Sequence, residues 1–498
     1  MSGADTSRLV VVSNRLPIML EKRLRQWQIK PGTGGLVRAL APVLGHRGGV
    51  WVGWLGVADE EVQGQELPLM EGARETGYEL QPVRLGHREL MGFYLGFSNS
   101  ILWPLFHDLL GYCDFDPDFW YTYLHVNRKY AVAVHDASRP SDFVWVQDYQ
   151  LIHVGANLHQ LDAKRKVGFF LHIPFPPLDI FVRLPWRAQV LRALLAYDLL
   201  GFQSWRDRRN FLTCLQQLLP EVRVSGKGTV VHAAVGDRTV SIGSFPIGID
   251  ARSFEKAANE EEVVALEKEL RGMYRGCEVV LGVDRLDYTK GIPERLKAFR
   301  NALERFPKLR GKIVLLQVVV PSRENVPEYV NLKKRVESLV GSINGKYGRV
   351  GWVPIHYHYR SLPMKELIAL YRMARVALVT PLKDGMNLVA KEYCACQRAG
   401  GVLILSEFAG AAAQLQRGAL LVNPFDIEGM ADTLRIALEM PEDERHARMA
   451  KLRENVRKQD IFWWVDRYLK AAVDRVLEDF PGQEEYLPRM RLEGAVHE

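Results

Sequence analysis

Short, uninterrupted apolar runs that alternate with longer helical patterns constrain this chain more than any other feature. The runs are Leu9 to Val12, Val50 to Trp54, Phe143 to Val146 and Val167 to Leu171. In the second half they are Val279 to Val283, Ile313 to Val320, Val376 to Val379, Val402 to Leu405 and Leu420 to Val422. Each is too short for a helix and lacks the alternation of a half-solvated strand, so each reads as a strand buried on both faces. Strands of that kind, spaced by helices, predict βαβ units and parallel sheets. One sheet of that many strands is less favoured than two domains with a sheet each, and 498 residues at ~150 per domain leave room for both. The boundary falls at Phe245-Pro246-Ile247-Gly248-Ile249-Asp250, where Pro and Gly interrupt the pattern ahead of the charged helical segment Glu260 to Arg271. The predicted organisation is an N-terminal domain over 1–246, a second over 247–462, and a C-terminal helix and tail over 463–498 that packs back on the first domain. Apolar residues at helical spacing, Phe462, Trp463 and Leu469 among them, mark that final helix.

Several function classes drop out early. No window holds ~18 consecutive apolar residues, so no membrane span or membrane partner is expected. The first residues lack the basic and apolar regions of a secretory signal. The five cysteines are odd in number and scattered, as in a reducing cytoplasm, where we expect the protein. Lys and Arg exceed Asp and Glu by 66 to 59, a net charge of +7. With no basic tail and no nucleic-acid module, that excess suits a cleft for a small anionic ligand rather than nucleic acid.

In paired α/β domains, ligands gather beyond the carboxyl ends of the strands, here in a cleft between domains, so the residues that follow each run matter most. Val283-Asp284-Arg285-Leu286-Asp287-Tyr288-Thr289-Lys290-Gly291 follows one run. Its Arg285 and Lys290 offer a planar fork and a point charge, a pair suited to a diphosphate. Pro381 to Glu392 follows another, and Gly385 allows a tight turn into a helix whose exposed N–H groups attract an anion or sugar hydroxyls. Asp384 and Glu392 stand eight residues apart, about two helical turns, and so address separate parts of a long ligand, such as a sugar and a ribose. Gly32-Thr33-Gly34-Gly35-Leu36 is a glycine-rich turn but not G-x-G-x-x-G, which argues against a nicotinamide oxidoreductase. Asp148 and His172 each end an apolar run, the position from which side chains enter a cleft. Asp114-Phe115-Asp116-Pro117-Asp118 reads as a turn with helix-capping acids. His356-Tyr357-His358 is a strand pair without a third ligand, so no protein-held metal is expected, and no cofactor.

Together these motifs closely resemble the trehalose-6-phosphate synthase family of retaining glycosyltransferases. The resemblance runs from about Arg8 to about Leu469, carried by Val11-Val12-Ser13-Asn14-Arg15, Phe97 to Pro104, and the His172, Arg285/Lys290 and Asp384–Glu392 segments, in order and spacing. It implies a GT-B fold, two Rossmann-like α/β domains facing a cleft. It also implies transfer of glucose from a nucleotide sugar, usually UDP-glucose, to glucose 6-phosphate, giving trehalose 6-phosphate with retention.

By the same resemblance, Arg285 and Lys290 clamp the donor diphosphate and act in catalysis. Glu392 takes the ribose, and Asp384 with Gly385, Met386 and Asn387 grips the donor glucose. Leu388 and Val389 continue the donor-binding helix start, His172 touches the same sugar, and Gly34 and Gly35 belong to a loop over the donor. Arg15, Tyr94, Trp103 and Arg323 match the acceptor phosphate set, and Asp148 matches the carboxylate that positions acceptor glucose near the reacting carbon. Gln147 and Gln150 stand where many members carry His, and Leu362 where some carry an aromatic near the nucleobase, so UDP-, ADP- and GDP-glucose stay open as donors. The implied partners are these small molecules and, possible in addition, further copies of the chain as a homo-oligomer. Two alternatives share the motifs: a sister enzyme that uses glycerol 3-phosphate, and a non-catalytic sugar-phosphate sensor.

Overall fold

The structure, a computed structural model, describes residues 8–23, 26–32, 35–63, 77–161, 164–324, 326–398, 400–473 and 485–486. The chain divides into two compact units. The first runs to Asp250 and takes the chain back at Gln459, and the second begins at Ala251 and runs to Lys458.

The first unit is built on a nine-stranded sheet. Its strands are β1 (Leu9–Arg15), β4 (Gly49–Trp54), β5 (Glu79–Val83), β6 (Phe143–Gln147), β7 (Lys166–Leu171), β8 (Leu199–Phe202), β9 (Arg223–Ser225), β10 (Val230–Val235) and β11 (Arg238–Ser244). A separate antiparallel hairpin, β2 (Ile18–Arg23) with β3 (Gln26–Pro31), follows β1. The order is β5-β4-β1-β6-β7-β8-β11-β10-β9. Pairing is parallel from β5 through β11 and antiparallel from β11 to β9.

The second unit has one six-stranded parallel sheet, order β14-β13-β12-β15-β16-β17. These strands are β12 (Glu278–Arg285), β13 (Ile313–Val320), β14 (Ile355–Tyr359), β15 (Val376–Val379), β16 (Val402–Ser406) and β17 (Leu420–Val422). Numbered within itself, this sheet has the doubly wound order 3-2-1-4-5-6. The first six parallel strands of the other sheet, taken without the hairpin, repeat that order. Each sheet therefore has a point where the chain reverses its direction of travel, between β1 and β6 in the first unit and between β12 and β15 in the second.

Every apolar run expected to form a strand lies in one. The sequence reading missed others. The stretch that follows Arg15, which holds none of the apolar runs above, contains the β2–β3 hairpin. Its strands carry charged and apolar residues together, which obscures periodicity. Strand β8 is only four residues, and β9 to β11 include polar residues because they form the antiparallel end of the sheet.

The helix Ile461–Val473 belongs to the first unit, where the side chains of Trp464 and Tyr468 are fully buried. Tyr468 stacks on Trp145 at 4.2 Å between ring centroids, and its hydroxyl is shared between the carbonyls of Phe169 (3.1 Å) and Leu199 (3.3 Å). Gly168 and Gly201 make that seat, since a Cβ on either would come within 2.5 or 2.8 Å of the Tyr468 ring or hydroxyl. Beyond this helix, Tyr486 counts with the second unit and donates to Glu407 Oε2 at 3.1 Å.

Candidate active site

In the first unit the residues of interest follow β1, β6 and β7, around the reversal point. Arg15 ends β1 with an exposed side chain, its guanidinium 4.8 Å from the Trp54 ring centre and 5.8 Å from that of Tyr94. Tyr94 lies in the wide helix Leu90–Leu102, whose i→i+5 bonding continues to Trp103. Asn99 locks this helix to the neighbouring turn: its Nδ2 donates to the Tyr94 carbonyl (2.6 Å), and its Oδ1 accepts from the Tyr149 hydroxyl (2.9 Å). Trp103 packs on Tyr149 with ring centres 5.7 Å apart. Arg15 thus lies against Trp54 and Tyr94, while Trp103 packs on Tyr149, the residue after Asp148, to which Asn99 ties the helix of Tyr94.

Asp148 leaves β6 with φ 74° and ψ 168°, a conformation rarely held by anything but glycine. Its N–H donates to the Phe170 carbonyl (2.8 Å), and its Oδ1 accepts from the His172 N–H (3.1 Å). Strand pairing of β6 with β7 thereby fixes the turn and brings Asp148 and His172 together. The His172 ring meets two amides, with Nε2 2.8 Å from Gln147 Oε1 and Nδ1 3.4 Å from Gln203 Nε2. Burial pushes its imidazole down to about 3, so the ring is neutral at ordinary pH.

In the second unit the turns beyond β12 and β15 flank the reversal point, the place where doubly wound sheets bind ligands. Asp287 organises the first turn. Fully buried, it accepts from the Thr289 N–H (3.0 Å) and hydroxyl (2.9 Å), and sits 3.3 Å from Arg285 Nη2 and 3.9 Å from Arg323 Nη1. Burial alone would raise its carboxyl, but Arg285, Arg323 and Lys290 together hold it down at about 2. Asp287 therefore anchors two guanidiniums while the Arg285 side chain stays 45% exposed, within reach of a ligand. Arg323, at φ 50°, also bonds the Tyr329 hydroxyl. Lys290 pairs with Asp384 Oδ2 at 2.6 Å, and Asn387 Nδ2 donates to the same oxygen at 3.2 Å. Gly291, at φ 63°, turns the chain into the next helix so close to Thr380 that a Cβ would come within 2.4 Å of its carbonyl oxygen.

The turn after β15 is held by backbone. The N–H groups of Gly410 and Ala411 donate to the carbonyls of Asp384 (3.0 Å) and Met386 (2.9 Å). Gly410 lies so near Gly385 that no side chain fits there. Asn387, at φ 81°, caps the helix Leu388–Cys396 through its side chain to the Ala390 N–H. Leu388 and Val389, both half-buried, form the first turn of that helix. Glu392, one turn along, accepts from the Tyr371 hydroxyl at 2.9 Å. Among the described residues, four non-glycines have positive φ, and three of them, Asp148, Arg323 and Asn387, are residues the sequence had marked. Such strain persists where the surroundings over-determine the backbone, as at binding sites.

Against these surroundings the sequence of this protein can be compared with others. The profile of glycosyltransferase family 20 matches residues 7–474. The chain belongs to glycosyltransferase family 20.

Relatives within that family agree along nearly their whole length. The chain is 42% identical over 482 residues to a trehalose-6-phosphate synthase of Mycolicibacterium paratuberculosis, covering 95% of this chain and 96% of the relative. Its fold superposes with a TM-score of 0.85 on a UDP-forming α,α-trehalose-phosphate synthase of Burkholderia xenovorans in complex with glucose 6-phosphate, at 34% identity, covering 94% of this chain and 100% of the other. The TM-score is 0.84 with an E. coli trehalose-6-phosphate protein bound to UDP-2-fluoro glucose, at 36% identity and with 94% and 100% coverage. The fold is thus the GT-B fold of family 20.

The family 20 residues picked out from sequence fall into two groups. Arg15, Tyr94, Trp103, Asp148 and His172 belong to the first unit, and Arg285, Lys290, Arg323, Asp384 to Val389 and Glu392 to the second. Arg323, expected with the acceptor phosphate set, is carried by the second unit and shares Asp287 with Arg285. Gly35 starts the helix Gly35–Arg47, and Gly34 lies outside the described residues. Sequence reasoning assigned no role to Asp287, although it stood inside a quoted motif. Gln203 and Tyr371 carried no signal, because only the fold brings them to His172 and Glu392. Among the described residues no cluster of three His, Cys, Asp or Glu could hold a metal, and no helix is long and apolar enough to cross a membrane.

Proposed function

We propose that this chain transfers glucose from UDP-glucose to glucose 6-phosphate, forming trehalose 6-phosphate with retention of configuration. The observation that carries the reading is the cation group beyond β12, with Arg285 and Arg323 anchored on Asp287 and Lys290 held on Asp384. The Arg285 guanidinium and the Lys290 ammonium, fixed at the carboxyl end of a parallel sheet, suit a sugar diphosphate, and Asp287 holds the Arg323 guanidinium beside them for the acceptor phosphate.

Arg285 and Lys290 bind the donor diphosphate and stabilise the charge that grows on the departing phosphate. Glu392 accepts from the ribose hydroxyls, one of its oxygens held by Tyr371. Asp384 with the turn Gly385–Asn387 binds donor glucose, and Leu388 and Val389 begin the helix beneath it. His172 contacts the same sugar as a neutral ring, and Gly34 and Gly35 belong to the donor loop. Arg15, Tyr94, Trp103 and Arg323 bind the acceptor phosphate, since two guanidiniums, a phenol O–H and an indole N–H all donate to a dianion. Asp148 holds an acceptor hydroxyl against the anomeric carbon.

The bond from the anomeric carbon to the phosphate oxygen breaks as the acceptor oxygen bonds that carbon on the same face. The acceptor proton passes to the departing phosphate oxygen, so the protein supplies alignment and electrostatics rather than a covalent intermediate. Release of nucleoside diphosphate from UDP-, ADP- and GDP-glucose, with glucose 6-phosphate and separately with glycerol 3-phosphate, tests the reading. Release only with glucose 6-phosphate, with a non-reducing disaccharide phosphate as product, is expected. Release only with glycerol 3-phosphate would replace the acceptor, and silence with every pair would leave a sensor.

A further inference from the structure

One polar chain in the first unit passes through His172, and its other members enter none of the steps above. It begins at the Ile247 N–H, in the segment that closes this unit, and runs through Gln203 and His172 to Gln147. Ile247 N–H can only donate, so the Gln203 atom 3.0 Å from it must be the carbonyl oxygen Oε1. That choice turns the Gln203 NH₂ toward His172 Nδ1 at 3.4 Å. Nδ1 must then accept, and the ring proton resides on Nε2, which donates to Gln147 Oε1 at 2.8 Å. The last amide closes the chain consistently, because Gln147 Nε2 faces the Trp145 carbonyl at 3.5 Å. Both glutamine side chains are buried, and the ring edge packs against Phe170 and Trp464 at centroid distances of 4.7 and 6.1 Å. Asp148 accepts from the His172 backbone N–H.

We propose that Gln203, fixed by Ile247, is a positioning residue that holds His172 uncharged with its proton on Nε2, and that Gln147 receives that proton's hydrogen bond. The inference rests on the reading of His172 as a contact to the donor sugar. It says in what form the ring makes that contact. A neutral ring suits a transition state with positive charge growing at the anomeric carbon, whereas an imidazolium would oppose it. Since neither amide titrates, both keep the same donor and acceptor roles toward the ring from about pH 5.5 to 8.

The test is nitrogen NMR of the full chain carrying ¹⁵N-labelled histidine, with His172 assigned by loss of its signals in His172→Asn. The expected result is one protonated and one unprotonated ring nitrogen, the proton on Nε2, unchanged from about pH 5.5 to 8, a span that includes the ordinary histidine value of about 6.5. In Gln203→Glu a carboxylate replaces the NH₂ donor, so Nδ1 should take up a proton by pH 6. The kcat/KM for the donor should then gain an ionisation, falling about tenfold per pH unit on its acid side. Gln203→Met, which adds no buried charge, should leave Nδ1 without its donor, and the Nδ1–H tautomer should appear beside the other.

A wild-type ring protonated on Nδ1, or titrating near its ordinary value, would overturn the proposal. So would a Gln203→Glu ring that protonates while the donor profile stays that of the wild type. Failure of the activity reading looks different: the NMR result would hold while UDP-glucose releases no nucleotide with either acceptor.

Discussion

The turns that carry chemistry are held in opposite ways in the two units. Beyond β1, β6 and β7 the fixing groups are aromatic rings and amides: Trp54 and Tyr94 beside Arg15, Asn99 on Tyr149, Gln147 and Gln203 on His172. Beyond β12, β13 and β15 they are charges, with Arg285 and Arg323 on Asp287, Lys290 on Asp384, and Arg295 on Asp284. The sheets share their strand order, so topology does not explain the contrast. A neutral, apolar setting suits sugar rings and hydroxyls, with the cation Arg15 over the Trp54 and Tyr94 rings. A charged setting suits a diphosphate, and it must stay organised before any anion arrives to balance its cations. Asp287 and Asp384 do that balancing.

The sharpest way to break the comparison is at Arg295. Its guanidinium is almost fully buried among Asp284, Gln317 Oε1 (3.2 Å), Thr380 Oγ1 (3.1 Å) and the Lys290 carbonyl (3.4 Å). It therefore ties β12, β13, the end of β15 and the cation loop together. Arg295→Met leaves Asp284 buried without its cation and should cost about 3–5 kcal/mol, read as earlier denaturant unfolding with hydrogen exchange rising first in the second unit. Adding Asp284→Leu should return much of that stability, since an apolar pair of similar volume is often tolerated. Equal loss in the single and double variants would mean that the pair is not what holds the loop.

Next in size is Arg285. Its side chain is half-exposed and Asp287 keeps Arg323 and the Thr289 hydrogen bonds, so Arg285→Ala should cost less stability than Arg295→Met. It should lower turnover by the equivalent of about 3 kcal/mol, roughly a hundredfold, as for one lost oxyanion donor. Near-normal turnover would remove Arg285 from the diphosphate. Arg15 in the first unit has a different signature: Arg15→Ala should raise the KM for the sugar phosphate and leave that for the nucleotide sugar unchanged.

How much of this was legible in sequence follows from the same contrast. Parallel strands buried on both faces, such as Ile313–Val320, announce themselves as unbroken apolar runs. The charged residues of the second unit sit within a few residues of those runs, so Arg285, Lys290 and Asp384 could be found by position alone. The partners that tune them come from distant segments. Tyr371 reaches Glu392 across 21 residues, Gln203 reaches His172 across 31, and Asn99 reaches Tyr149 across 50. Amides and hydroxyls in mid-helix or at strand ends carry no periodic signal that separates them from ordinary solvated residues. The hairpin Ile18–Arg23 with Gln26–Pro31 escaped for a related reason, since its charged and apolar residues give no clean pattern. Backbone strain at Asp148 and Asn387 is set by neighbouring strands and turns, and no residue pattern of their own records it.

Tyr371 sharpens the comparison at a smaller scale, because it is a neutral group doing in the second unit what amides do in the first. Its hydroxyl holds one oxygen of Glu392 and leaves the carboxylate aimed. Hydrogen bonds to charged groups contribute about 1.5–3 kcal/mol, so Tyr371→Phe should raise the donor KM by about tenfold or somewhat more. The acceptor KM should not move. If both KM values rise together, the effect is loss of packing at a buried ring rather than loss of aim.

The smallest effect concerns pH, and its window separates the buried histidines from Asp287. His172 and His153 of the first unit are pushed down by burial, to about 3 and about 4. Each is neutral when folded, while an unfolded chain binds the proton near the ordinary value of about 6.5. The stability each contributes is therefore complete above that value and is lost as pH falls toward the folded value, by about 1.4 kcal/mol per pH unit per group. Asp287 of the second unit is also depressed, to about 2, but its unfolded value is near 4. Its contribution is intact above pH ~4 and fades only as pH falls toward 2. Between about pH 6 and 4.5 the acid loss should thus come from histidines and not from Asp287. His356 and His358 on β14 are lowered as well, chiefly by burial, so the decisive measurement uses variants rather than the parent curve alone. Unfolding free energy followed by denaturant titration should fall less steeply with acid in His172→Asn, by about 1.4 kcal/mol per pH unit across that window. An unchanged slope in the variant would show that His172 already titrates normally in the folded chain, and with it the neutral character assigned to the first unit would fail at the residue that matters most.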